Sequence, residues 1–486
     1  MKKFLMFLHL LTGTKLLNFS ESINLLEKST EKGLKMSFFA NESLTKAPLC
    51  FGHEKLNEFP EYVNAVVKIR KASALANREL GYLSKEKAAE ISRVCDGLIN
   101  VSEPLTCFEQ TILRFVGMPA NKIINEQIQI KAEIPISLDE ISLNQWTNDV
   151  TVTAEAIAIR SDLSLLSKNL RILCNELGRK AKEFEGVVKC GRLGLRDSFP
   201  IRLGDEFKSH KTIIEAIIGE LQEEEKFWTF SVLGAGDLGT GLGVLPSFSS
   251  KVTQLLSEEL GYKLSLKEEE FQPSLNNRYR FIIAHSKIQA AAVALWKLAR
   301  DLTIMASGPR AGIREIVLPA VAPGSSIMPG KINPTVAELI MNICDKVFAN
   351  SSGLNVGVHT GWLENDSNSS LPLKAILDSC QLLSRGAMVL VEKVVKGITS
   401  NSERCLEQAQ MSLAPALFLQ KIIGKNETKK VLEFALINNI SLADSYRKLI
   451  GEIEKGSLLE DLFDVYLLSQ KEGAKNFMNK LRLFTQ

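Results

Sequence analysis

PGSSIMPGKINP, Pro323 to Pro334, interrupts a chain that otherwise reads as long helices, and its reading decides what those helices build. Pro323, Pro329 and Pro334 lack the N–H a helix needs and clash with the preceding turn, while Gly324 and Gly330 permit backbone angles closed to other residues. The segment is therefore a loop. A plain linker between helices seldom mixes Ile327 and Met328 with Ser325, Ser326, Lys331 and Asn333, so the composition is that of a site. A serine acting as a base needs a neighbour that stabilises its alkoxide, and Ser325, directly behind Gly324, fits that role. Lys331 offers a point charge and Asn333 an amide donor. Two residues apart in an extended segment, they point to one side and can grip a carboxylate. Glu338 falls in the first turn of the next helix, where favourable placement near a positive helix N-terminus also accounts for it.

Outward from this loop the pattern is helical. EYVNAVVKIRKASALANRELGYLSKEKAAEISRVCDGL, Glu61 to Leu98, places apolar residues at three- and four-residue steps, with Gly81 and Ser84 marking a break between two helices. A less regular region from Asn100 to Leu143 holds Pro104, Pro119 and Pro135. The periodicity then resumes from Thr147 to about Phe184, and again in SHKTIIEAIIGELQEEE, NNRYRFIIAHSKIQAAAVALWKLARDLTIMAS, PTVAELIMNICDKVFANSSG and SLPLKAILDSCQLLSRGAMVLVEKVVKGI. Helices this long, rich in alanine and striped with apolar residues, pack in a bundle and bury part of their faces against other subunits. From about Asn401 the pieces shorten, as in a small helical C-terminal domain.

At 486 residues and 45% hydrophobic content the chain fills a large core. Its 59 basic and 56 acidic residues leave a net charge of only +3, with no long basic run, so no nucleic-acid partner is expected. Eight scattered cysteines without a C-x-x-C pair and only five histidines argue against a disulfide framework or a zinc cluster, and for reduced thiols in a cytoplasmic protein. Lys2, Lys3 and FLMFLHLL imitate a secretory signal, but no small-x-small site follows. The apolar run also falls short of the roughly 20 residues that span a bilayer, so residues 1–35 read as an extension, with Met36 an alternative start and no membrane partner.

LGAGDLG places Gly234, Gly236 and Gly239 in G-x-G-x-x-G spacing behind the strand-like WTFSVL. That fingerprint binds a dinucleotide only where a parallel strand hands the glycines to a helix N-terminus within βαβ units. Helical patterns lie on both sides without strand–helix alternation, so the expectation is a glycine-rich connection between bundle helices. A dinucleotide-binding oxidoreductase is kept only as a reading to be tested, and no cofactor or metal is expected.

SGPRAGIREIVLPAVAPGSSIMPGKINPTVAELI, Ser307 to Ile340, closely resembles the signature region of the aspartase/fumarase superfamily, whose G-S-S-x-M-P-x-K-x-N-P motif is long and specific. The resemblance extends over most of the chain, through RKASALANRELGYLSKEKA, QWTND at Gln145–Asp149, PIRLGDEF and EIVLPA, the last two leaning toward aspartases. It implies an all-α fold of three helical domains with a long central helical bundle, assembled as a homotetramer whose active sites are each shared by three subunits. We accordingly divide the chain into an extension at 1–35, an N-terminal lyase domain at 36–143, a central bundle at 144–402 carrying the loop 323–334, and a small helical C-terminal domain at 403–486. The resemblance makes Ser325 the catalytic serine, Glu338 its acidic partner, and Lys331, Asn333, Thr147 and Asn148 substrate-binding residues.

The reaction implied is an anti elimination. A base takes a proton from the carbon beside a carboxylate, preorganised donors stabilise the dianionic intermediate, and ammonia leaves the neighbouring carbon of aspartate, or of a related amino dicarboxylate, to give fumarate or an analogue. This chain departs from the family pattern at those donors. VGMPANKIINE puts Val116 for a serine and Met118 for a threonine, Trp146 replaces a serine, and GRLGLRD puts Leu193 for threonine and Gly194 for histidine or glutamine. In the segment where the family has G-x-x-E-L-N, GWLEND introduces Trp362. Loss of one such donor typically slows an enzyme about 100- to 1,000-fold. Arg196, standing for a glutamine, offers a replacement cation for substrate, with Trp146, Met118 and Leu193 shaping a more apolar pocket. An ammonia-lyase, a fumarate hydratase, and a catalytically inactive paralogue with a structural or regulatory role all remain open on the residues.

Overall fold

The computed structural model describes residues 60–99, 120–271, 273, 278–321, 327–328, 330–359, 363–364 and 370–486. All lie in one compact unit, residues 55–105 and 119–486; the other unit, 1–54 and 106–118, falls outside the described residues. In chain order the described segments form α1 (Pro60–Glu79), α2 (Lys85–Leu98), α3 (Ala120–Lys131), α4 (Leu138–Ile141), α5 (Thr147–Glu183), β1 (Val188–Leu193), β2 (Arg196–Arg202) and α6 (Leu203–Phe227). Then come β3 (Phe230–Ser231), α7 (Phe248–Leu260), β4 (Ser265–Leu266), α8 (Tyr279–Met305), β5 (Ile316–Val317), α9 (Thr335–Gly357) and α10 (Ser370–Lys393). After β6 (Thr399–Ser400) the chain ends in shorter helices: α11 (Ser402–Met411), α12 (Ala416–Ile423), α13 (Lys425–Asn438), α14 (Leu442–Leu449), α15 (Leu458–Phe463), α16 (Val465–Leu468) and α17 (Lys471–Thr485).

The 37-residue α5 is the spine, roughly 55 Å long at 1.5 Å per residue. Its Leu163, Leu166, Leu170, Leu173 and Leu177 recur at three- and four-residue steps and are all buried. They share one core with Ile214, Ile218 and Leu221 of α6, Leu295 and Leu302 of α8, and Leu383 and Leu390 of α10. Each such side chain, fully withdrawn from water, contributes about 1.5–3 kcal/mol. A second core joins α1, α2 and α3 to the first turns of α5 and to Phe248, Val252 and Leu256 of α7. A third lies among α12 to α17.

One polar layer crosses the bundle. Ser379 Oγ donates to Ala375 O at 2.6 Å within its own helix, so its lone pairs receive Asn350 Nδ2 at 3.0 Å and His285 Nε2 at 3.2 Å. Burial pushes the His285 imidazole down to about 4, so it stands neutral with the proton on Nε2. The serine's proton is committed to its own helix, which makes this Ser–His pair a packing device and not a nucleophile with its base.

Three features differ from the sequence reading. The break at Ser84 is a true N-cap, its hydroxyl accepting from Lys87 N at 3.3 Å, but the irregular region after Asn100 contains α3. Helix α6 begins at Leu203, six residues ahead of its clear periodicity, and is preceded by a β1–β2 hairpin. The expected lack of strand–helix alternation around the glycines also fails locally, because β3 pairs in parallel with β4 across α7. The strands are two residues each and Gly239 lies eight residues before the Ser247 N-cap of α7, so the glycines reach no helix N-terminus.

Candidate active site

Three stretches carry the sequence-predicted groups. The first is the N-terminus of α5. Asn144 adopts a left-handed φ of 63° and its Oδ1 accepts from Leu245 N at 2.9 Å, which turns the chain into α5. Gln145 Oε1 accepts from Arg70, which also donates to Asn125 Oδ1 at 2.6 Å. Asp149 is fully buried and reaches back to cap its own helix: Oδ1 accepts from Trp146 N at 3.0 Å and Oδ2 from Gly234 N at 3.1 Å. Asn148 Nδ2 donates to Asp237 O at 3.2 Å.

The glycine-rich loop is thus moulded onto the start of α5. A side chain at Gly234, which has φ +90°, would place Cβ 1.9 Å from Ser249 Oγ, and at Gly243 it would meet the Trp146 indole at 3.0 Å. Gly234's amide, which a dinucleotide pyrophosphate would need, already serves the Asp149 carboxylate. Asp149 and Asp237 were not among the sequence-predicted site residues. The pattern Q-x-T-N-D contained the first, but its partner lies 85 residues away.

Burial pushes the Asp149 carboxyl up to about 7, against the lowering effect of the Gly234, Trp146 and Val150 amides and of Arg70. Its folded value therefore lies above the roughly 3.9 of an unfolded chain, so its stabilising contribution is fully present below about pH 4 and is lost as pH rises toward 7. Asp149→Asn is expected to lower stability at every pH, by about 1–3 kcal/mol, because one buried N–H then faces an amide donor. It should also flatten the fall in urea midpoint between pH 5 and pH 8. Asp162, likewise pushed up to about 7 by burial, leaves some of that fall in place. A variant with the wild-type slope would remove Asp149 as its source.

The second stretch is the β1–β2 hairpin. Gly191 forms the irregularity between Cys190 and Arg192, where an added Cβ would lie 2.5 Å from Phe199 O. Gly194 and Leu195, at φ 57° and 62°, make the two-residue turn. Leu193 is 76% exposed and Arg196 stands beside it, also exposed. Below the tip Arg192 and Lys189 clasp the fully buried Glu315, with Lys189 Nζ 3.0 Å from Oε2.

The third stretch leads into α9. Lys331 N donates to Met328 O at 3.3 Å beside Gly330 at φ 81°, and Lys331, Asn333 and Glu338 are all exposed. Ser325 lies outside the described residues, as do Val116, Met118 and Trp362. Among the described residues, the side chains of Thr147, Arg196, Lys331, Asn333 and Glu338 make no hydrogen bond or ion pair. Among the described residues no hydrogen bond or ion pair joins the three stretches, and the expected apolar pocket includes Met118, which lies outside the described residues. Among the described residues no cluster of His, Cys, Asp or Glu is arranged to hold a metal.

A family described as lyase matches residues 31–349. The chain belongs to the aspartase/fumarase superfamily. Aspartate ammonia-lyase of Escherichia coli strain K12 is 29% identical over 430 residues, 85% of this chain and 88% of that protein. That of Pseudomonas aeruginosa is 30% identical over 421 residues, 83% of this chain and 88% of its own. Among solved structures, a fumarate lyase:delta crystallin from Brucella melitensis superposes with TM-score 0.75 at 27% identity, covering 86% of this chain and 93% of that one. The class II fumarase of Schistosoma mansoni, at 22% identity and TM-score 0.73 over 84% of this chain and 91% of that one, shows the shared fold. Superfamily membership makes the chain a lyase of the kind that includes the aspartate ammonia-lyases, on a predominantly helical bundle.

Proposed function

We propose that the protein is a carbon–nitrogen lyase that eliminates ammonia from aspartate or a related amino dicarboxylate, with Ser325 as base and Glu338 as its acidic partner. Lys331, Asn333, Thr147, Asn148 and Arg196 hold the substrate. The observation that carries this reading is the set of polar side chains left uncommitted on all three stretches. Lys331 and Asn333 sit two residues apart before α9, and Arg196 and Thr147 are exposed elsewhere, so carboxylate-binding donors stand ready with no side-chain partner among the described residues. Aspartate is favoured because the relatives are named for that activity. The site is completed in a homotetramer: α5 exposes Leu165 and Ile172, α8 exposes Ile282 and Val293, and α9 exposes Leu339 and Val356, all on bundle helices. A stable monomer in sedimentation at micromolar concentration would rule that assembly out.

The three-domain division at residues 143 and 402 belongs to the same proposal, supported by the separate core among α12 to α17. No helix among the described residues is long and apolar enough to cross a membrane. The described cysteines, Cys95, Cys174, Cys190, Cys344, Cys380 and Cys405, are free buried thiols, which supports a cytoplasmic setting.

A second reading, an inactive paralogue, is favoured by Leu193 and Gly194 at the hairpin tip and by Trp146, where the family pattern has donors. An assay following both ammonia and the new double bond, over amino and hydroxy dicarboxylates, separates the readings. Ammonia release supports the lyase, a new double bond formed from a hydroxy dicarboxylate by loss of water, without ammonia, a hydratase, and silence the inactive paralogue. Trp146→Ser with Leu193→Thr and Gly194→His is expected to raise the aspartate rate at least about 100-fold, since each restored donor is worth that much. No gain from this triple variant would show that the replaced donors do not limit the site.

A further inference from the structure

Away from the three stretches, the last turns of α5 and the first turns of α6 enclose a groove of about 700 Å³. That is within the range of roughly 300–1,000 Å³ that holds small ligands. Its floor is backbone: the helices approach so closely that a Cβ at Gly204 would sit 2.4 Å from Ala181 O, and Gly178 leaves room for the Lys211 stem.

The lining carries five cations, Arg179, Lys182, Arg202, Lys208 and Lys211, against two acids, Glu185 and Asp205. In a chain whose basic and acidic residues nearly balance, this is a local excess of three positive charges. Two of the cations are already paired, Arg179 with Glu176 and Glu183 at 2.6 and 2.9 Å, and Lys211 with Glu215 at 2.6 Å. Lys182 and Lys208 make no ion pair among the described residues. Arg202 donates through Nη1 to Glu185 O at 3.1 Å, while its buried Nε has no partner among the described residues. A buried guanidinium N–H without an acceptor is unfavourable unless something in the groove accepts from it. Clustering uncommitted like charges in a concave, backbone-floored groove also raises its attraction for anions.

We propose that this groove binds a multiply charged phosphate compound of nucleoside-polyphosphate size, at a site separate from the one that holds the dicarboxylate. The planar fork of Arg202 matches a phosphate edge, and Lys182 from α5 and Lys208 from α6 reach the ligand as point charges from opposite walls. None of the residues assigned to the lyase site lines the groove, so this inference stands or falls independently of that activity.

The test is calorimetric titration of the full chain with pyrophosphate and with ATP, without magnesium, at fixed ionic strength. Saturable binding of one anion per chain is expected. The double variant Lys182→Ala/Lys208→Ala, both sites exposed, should keep its circular dichroism and weaken binding at least about tenfold. Lys429→Ala/Lys430→Ala, an exposed pair on α13, should bind as wild type. Tighter binding of ATP than of pyrophosphate supports a nucleotide-sized ligand, whereas pyrophosphate binding alone refutes that size. Absence of saturable heat, an unweakened Lys182/Lys208 variant, or equal weakening by the α13 pair overturns the proposal.

Discussion

Ser325→Ala is expected to lower turnover by several orders of magnitude while leaving substrate affinity and melting temperature at wild-type values. The chemistry requires a group that removes a proton from a carbon whose acidity in water is negligible, and on the proposed roles one missing hydroxyl deletes that group while leaving Lys331 and Asn333 to hold the carboxylate. The expected signature is therefore a loss in kcat with little change in binding. A variant that turns over substrate as fast as wild type would show that another residue is the base.

The second large effect concerns folding. Glu315 is fully buried, and its two oxygens hold Arg192 and Lys189. Arg192 Nη2 also donates to Gln408 Oε1 at 2.8 Å, and Lys189 reaches Glu206 at 2.9 Å. The network ties the hairpin to the chain preceding β5 and to α11, whose approach is further fixed by Asn401 N donating to Glu315 O at 2.8 Å. Glu315→Gln keeps the shape and removes the charge, so Arg192 loses the one carboxylate it pairs with among the described residues, and Lys189 is left with the partly exposed Glu206. Removing one partner from a buried ionic cluster typically destabilises by about 3–5 kcal/mol, and urea unfolding should show a loss of that size. A loss below about 1 kcal/mol would mean that the cluster is hydrated and contributes little. Because the same hairpin presents Arg196, proposed above to hold the substrate, Glu315→Gln should also weaken substrate binding.

The long helices were legible because their burial is one-sided: the leucine ladder of α5 repeats at helical steps, and so does its counterpart on α6 from Ile214 to Leu221. The hairpin was not. Burial along β1 does not alternate, since Val188, Lys189, Cys190 and Gly191 are all buried, and the apolar–polar alternation of its residues spans only Val188 to Cys190 before a glycine interrupts it. The first turns of α6 escaped for a related reason. Pro200 and Gly204 flank its start, and Gly204 is there because the helix runs against Ala181 O, a contact no local pattern announces.

The candidate site could be proposed from residue types, but the contacts that support its elements could not. Lys331 and Asn333 stood out from their loop by residue type, whereas Glu338, which occupies the first turn of α9, was marked out only by the family resemblance. The pairing of Asp149 with Gly234, and of Glu315 with Lys189 and Arg192, joins residues 85 to 126 positions apart in sequence. Such supports are invisible to periodicity because each partner, taken alone, looks like an ordinary helix cap or a strand charge.

A chain that eliminates ammonia despite its altered donors must also catalyse the reverse addition. Fumarate and ammonium incubated with the protein in deuterium oxide should give aspartate carrying one deuterium on the carbon opposite the amine, at a single diastereotopic position, as anti addition requires. Malate in place of aspartate, deuterium at both positions, or no product at high protein concentration would contradict it.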